Sequence, residues 1–169
     1  MGLIVAFVLS SCGNAPVSVR LDDFSIKVDA LANTLGKVVY PKQAATFEKS
    51  GLHVKTVTLN GKLTYSADIG SDSLTMAFYA RLSDPKDAGC SDAGLAWLCD
   101  KANETPISDP QTFQKDTPTP FSLGDKNPTI LADGINQGKI WIGVEVTEES
   151  AATGVTFDFT DMVANVTLF

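Results

Sequence analysis

The sequence predicts an all-β fold, an antiparallel sandwich of about seven to nine strands bounded by turn signals. Three observations predict it. Apolar and polar residues alternate with a period of two along most of the chain. Gly, Pro, Asn, Asp and Ser punctuate these stretches at short intervals. Val, Ile, Thr and aromatic residues, which suit a pleated surface, are concentrated between the punctuation marks. No helix of note is expected. Greek-key connections fit this pattern, with an immunoglobulin-like arrangement as first choice and a jelly roll as the alternative.

Each element follows from its own residues. Val17, Val19 and Leu21 share one face, and Phe24, Ile26 and Val28 share the next. The parity changes across Asp22-Asp23, so a bulge or tight turn is expected there. Asp29 to Gly36, read as a loop or as one helical turn closed by Gly36, leads to a short strand, Val38-Val39-Tyr40, which Pro41 stops. Gln43 to Phe47 reads as one helical turn.

Asn60-Gly61 is the residue pair of a tight hairpin. Yet Val57, Leu59, Leu63, Tyr65, Ala67 and Ile69 are all odd-numbered, and a hairpin would turn half of them to the wrong face. One long strand bent at Gly61 is therefore expected. Leu74, Met76, Phe78, Ala80 and Leu82 alternate as its antiparallel partner. From 83 to 120 the alternation lapses, and a long irregular loop is expected. Phe121 and Leu123, Thr129-Ile130-Leu131, then Ile140, Ile142, Val144 and Val146 restore the pattern, with Trp141 on the opposite face of the last. Val155, Phe157 and Phe159 form another strand, and Val163 to Phe169 closes the chain.

The chain has 169 residues, 44% hydrophobic and 20% charged, which is the balance of one globular domain. Its net charge is −7, and the cations are scattered singly after residue 12. Without a basic stripe there is no footprint for nucleic acid.

The first residues carry a different signal. Leu3 to Leu9 is an unbroken apolar run of signal-peptide length, too short to span a bilayer. Leu9-Ser10-Ser11-Cys12 resembles the lipobox of bacterial lipoproteins: an aliphatic residue, two small ones, then an obligatory cysteine. No Lys or Arg precedes the run, where such segments are normally positive. The resemblance covers about a dozen residues, and the mature domain resembles no family recognised from its residues. It implies a signal peptide over 1–11 and diacylglycerol on Cys12, while the residues that follow read as a short tether over 12–16 and a single β-sandwich domain over 17–169. It further implies a membrane-anchored protein of the cell envelope. Gly13 rather than Asp after the cysteine points to the outer membrane or cell surface.

Once Cys12 is lipidated, Cys90 and Cys99 remain, and an even count in an exported chain argues for a disulfide. The bridge would staple the 83–120 loop and display Leu95, Trp97 and Leu98. With Trp141, these form a candidate binding patch for a partner or a sugar ring; a plug over one end of the sandwich is the competing reading.

Catalytic motifs are sparse. His53 is the sole histidine, read as a half-buried or edge residue of a strand. Neither a nucleophile elbow, a P-loop, nor H-E-x-x-H occurs. Asp84, Asp87, Asp92 and Asp100 crowd the stapled loop as weak calcium candidates, without the spacing of a calcium loop. The two glycosylation sequons, at Asn103 and Asn165, read as chance matches beside a lipobox. No catalytic residue, metal or cofactor is expected beyond that calcium alternative. The expected function is a non-enzymatic envelope lipoprotein, a structural or accessory partner of envelope proteins. A carbohydrate or cell-wall ligand-binding module, using Trp97, Trp141, Tyr65 and Tyr79, is the alternative.

Overall fold

The computed structural model describes residues 17–31, 34–46, 53–148 and 151–168. In chain order its strands are β1 (Val17–Arg20), β2 (Phe24–Ala30), β3 (Lys37–Pro41), β4 (Ala45–Thr46), β5 (Val54–Ser66), β6 (Ser73–Arg81) and β7 (Ser91–Ala93). They continue as β8 (Ala96–Asp100), β9 (Thr105–Pro106), β10 (Gln111–Gln114), β11 (Thr119–Leu123), β12 (Lys139–Val146) and β13 (Thr153–Leu168). One α-helix, α1 (Pro128–Gln137), precedes β12. The expected sandwich is present: two antiparallel curled sheets face one another. Eight strands run five residues or longer, and the other five run two to four.

The five-stranded sheet is ordered β1-β13-β5-β11, with β2 also paired to β13. The eight-stranded sheet is ordered β10-β6-β12-β3-β8-β7, with β4 on β12 and β9 on β6. In an immunoglobulin domain the first strand pairs with the second. Here β1 pairs with β13, so the strand order is this chain's own.

The parity break at Asp22-Asp23 has a partner across the sheet. β13 bulges between Thr160 and Val163, with Asp161 at φ 53. β2 pairs with β13 before the bulge and β1 pairs after it. The Asp161 N–H donates to Asp23 Oδ1 at 3.1 Å, tying the two irregularities together. β5 is the single long strand the odd-numbered residues predicted. Gly61 is a glycine for a reason of packing, facing the β13 bulge: a Cβ there would lie 2.6 Å from the Met162 sulfur and 3.1 Å from the Thr160 carbonyl oxygen.

The core lies between the sheets. Phe78 of β6 is its hub, with rings of Phe113, Phe121 and Phe159 at 5.7–6.0 Å between centroids. These contacts join the two sheets through aromatic pairs in stacked and edge-on geometry. Leu131 of α1 adds to the core. The Asn136 side chain accepts from the Val54 N–H and donates to its C=O, fastening the helix to the start of β5.

Five expectations are corrected. The 83–120 segment is not one irregular loop: it holds β7, β8, β9, β10 and the start of β11, with 3₁₀ turns at Pro85–Ala88 and Lys101–Asn103. Those strands are too short for alternation to register. Residues 128–137 are helical; Asp133-Gly134 reads as a turn in sequence, but Gly134 sits inside the helix, where a Cβ would meet Ile140 at 2.7 Å. Ala45–Thr46 is a strand rather than part of a helical turn. β6 pairs with β10, β12 and β9, not with β5, so the chain changes sheets at 67–72. The two closing strands are one, β13.

Candidate functional site

The strands at the middle of the eight-stranded sheet are apolar on both faces, and a strand buried on both sides reads as a continuous apolar run. In β12 every residue from Ile140 to Val146 is buried. Even-numbered residues of β6 and β12 join the main core. On the opposite, outer face a second cluster gathers Val38 and Tyr40 of β3, Ala77 and Tyr79 of β6, Cys99 of β8 and Trp141 of β12. Register aligns Trp97, Tyr40, Gly143 and Tyr79 in one row across the strands. The row closes over Gly143, where a Cβ would lie 2.6 Å from both Tyr40 and Val38.

What covers this face is the chain between β8 and β9. Asp100 stands opposite Lys37, and Thr105 stands opposite Ala80 beyond the far side of β6. Residues 101–104 therefore cross the outer face as a strap over β3, β12 and β6. Two clamps hold it. The Glu145 carboxylate accepts from Lys101 Nζ at 2.8 Å and from the Tyr79 hydroxyl at 2.8 Å. The Glu104 carboxylate accepts from the Tyr40 hydroxyl at 2.7 Å and from Arg81 Nη1 at 3.1 Å.

These are buried charges. Glu145 is 3% exposed, and the Glu104 and Arg81 side chains are 3% and 12% exposed. Such charges persist only when paired and hydrogen-bonded, as both carboxylates are. Burial pushes the Tyr40 hydroxyl far above the usual phenol range, and its bond to Glu104 adds to the shift. Burial likewise raises Tyr79, helped by Glu145. The hydrogen bond to Glu145 raises Lys101. Protonated phenols and carboxylates that each accept two hydrogen bonds make a mechanical clamp. Beside the strap lies a shallow depression lined by Gly36, Tyr79, Lys101, Ala102, Glu104 and Pro106.

The expected disulfide is formed. Cys90 and Cys99 are joined with Cα atoms 4.5 Å apart, one step beyond the Ser91–Leu98 pair of the β7–β8 hairpin. The rest of the candidate patch is divided between surfaces. Leu95 is 53% exposed at the hairpin turn, and Leu98 packs against the main core. Trp141 is buried in the outer-face cluster. Trp97 is half-buried under Lys42, whose Nζ sits 3.5 Å from the ring centroid and donates to Asp92 at 2.6 Å. Lys42 holds the Asp92 carboxyl below the usual carboxylate range.

The four calcium candidates are not brought together. Asp84 accepts from the Lys86 N–H, and Asp87 stands in the first turn of the 3₁₀ helix that Asp84 caps. Asp92 pairs with Lys42, and Asp100 pairs with Lys37. Among the described residues, Cys90, Cys99 and Glu104 are the group of metal-ligating types that converge, with ligand atoms within 4.8 Å of one another. Arg81 Nη1 lies 3.2 Å from each sulfur and 3.1 Å from Glu104 Oε1, so a guanidinium fills the point where a cation would sit. His53 is exposed just ahead of β5. Cys12 and the lipobox lie outside the described residues.

Sequence reasoning missed Tyr40, Arg81, Lys101, Glu104 and Glu145. The signal was present in Met76-Ala77-Phe78-Tyr79-Ala80 and Ile140-Trp141-Ile142, runs apolar at both parities. Compared with known proteins, the chain matches no family model and no curated protein.

Proposed function

We propose that this chain is a non-enzymatic envelope lipoprotein, anchored through Cys12 and serving as a structural or accessory partner of envelope proteins. One observation carries the reading: Leu9-Ser10-Ser11-Cys12 ends only a few residues before the sandwich begins at Val17. A tether over 13–16 reaches about 14 Å at full extension, so the domain would sit against the lipid surface. Two or more acyl chains on one residue make such an anchor stable, whereas one is marginal.

The geometry supports a partner-facing end remote from that anchor. Val17 pairs with Val166, near one end of β13. Thr153 begins the other end, roughly 40 Å away at the rise of an extended strand. Gly94, beside exposed Leu95, approaches Asp29 of β2 there, and exposed Ile69 bridges to Thr153. Two exposed apolar side chains thus sit at the end that would point away from the membrane. The carbohydrate alternative asks for a flat aromatic platform. Tyr65, Tyr79 and Trp141 are buried, and Trp97 lies under Lys42, so support for that reading is thin.

Intact-mass spectrometry of the envelope form tests the anchor: a chain beginning at Cys12 with diacylglycerol attached is expected. An unprocessed or unacylated start overturns it. Cross-linking in detergent-solubilised envelope should recover a specific protein partner that Leu95→Asp releases. Recovery of this chain alone overturns the accessory role.

A further inference from the structure

We propose that the Cys90–Cys99 bridge is an exchange site for small thiols, with Cys90 as the sulfur attacked and Arg81 stabilising the departing Cys99 thiolate. Three observations converge. The sulfurs differ in access: Cys99 is 2% exposed in an interior strand, whereas Cys90 is half-buried at the start of the sheet's edge strand. A guanidinium nitrogen, Arg81 Nη1, lies 3.2 Å from both sulfurs. That same nitrogen donates to Glu104, the strap's anchor, so the bridge and the strap share one cation.

The chemistry follows from thiol–disulfide exchange. A small thiol such as glutathione loses its proton to solvent, and its thiolate attacks Cys90 Sγ. A new S–S bond forms between them, the Cys90–Cys99 bond breaks, and its electron pair leaves on Cys99 Sγ. Exchange is faster when the leaving thiol has a lower pKa, and a neighbouring Arg lowers it. In the product, the Cys99 thiolate competes with Glu104 for Nη1, which couples the redox state of the bridge to the hold on residues 101–104.

The full chain is incubated with glutathione at neutral pH, and the adduct is mapped by peptide mass spectrometry. The expected mixed disulfide is on Cys90. An adduct confined to Cys99, or none, overturns the proposal. Arg81→Met should slow exchange at least about tenfold, equivalent to about 1.4 kcal/mol in the barrier. Loosening of the strap alone would accelerate it, so an unchanged or faster rate overturns the proposal. Glu104→Gln removes the negative charge that competes with the sulfurs for the guanidinium and should speed exchange; an unchanged or slower rate there also overturns it, whether or not the Arg81 variant folds.

Discussion

Gly143→Ala tests the outer-face packing with a single methyl group. Gly143 lies in the middle of β12, opposite Tyr79, and the Tyr40 ring lies over it. An added Cβ would lie 2.6 and 2.7 Å from two carbons of that ring and 2.6 Å from a Val38 methyl. All three neighbours are nearly or wholly buried, with Tyr40 and Val38 each 0% exposed, so they cannot swing into solvent. Overpacking of this kind costs about 1–3 kcal/mol. Replacing Gly by Ala returns about 0.4–1 kcal/mol by restricting the unfolded chain. Mid-range values leave a net destabilisation of about 1–2 kcal/mol, which lowers the melting midpoint by about 2–8 °C in a domain of this size.

Thermal and urea unfolding followed by circular dichroism measures it. The partner variant is Tyr40→Ala, which removes the obstructing ring and alone costs about 3–5 kcal/mol. In the double variant the new methyl occupies space the ring has left, so the combined loss should fall short of the sum by at least about 1 kcal/mol. A Gly143→Ala midpoint equal to the parent's, or strict additivity with Tyr40→Ala, would refute the close packing of these two residues.

The chain's three tyrosines, Tyr40, Tyr65 and Tyr79, are all raised from 10.0 by burial. A raised folded-state value leaves stability intact below pH 10 and erodes it as pH climbs from there toward the folded values. Phenolate absorbance should therefore appear above pH 10 in one step with unfolding, and any tyrosine titrating at its ordinary value in the folded protein contradicts the burial. Lys42→Ala should uncover Trp97, shifting its emission to longer wavelength and admitting a neutral quencher. The unfolding midpoint should move little, because the Lys42–Asp92 pair is solvent-screened; an unshifted spectrum removes the lysine cover from the account.

Much of the core was readable in the sequence because one-sided burial leaves a period of two. The odd-numbered residues of β5 outweighed the Asn60-Gly61 turn signal, since Gly61 serves Met162 rather than a hairpin. The Asp22-Asp23 break was legible too, although its cause lies in the β13 bulge, far away in sequence. Helix α1 was hidden by Gly134, a residue that costs helix stability but admits Ile140 against the helix. The strap was hidden for a different reason. Lys101 and Glu104 look like solvated loop charges, and only the sheet order carries them over Tyr40 and Tyr79. Pairing among strands separated by scores of residues has no local signature. The Cys90–Cys99 bridge was legible from an even count of cysteines beyond the lipobox-like Cys12.

The position of β13 bears on the order in which the sandwich can form. Its sixteen residues hold β1, β2 and β5, and among the described residues β1 and β2 have no other strand to pair with. A ribosome delivers β1 first and β13 after all the others. Until then β1 and β2 lack the template that would fix them, and closing so long a loop is slow. Those two strands thus gain their place in the sheet only once the final segment of the sandwich has been made.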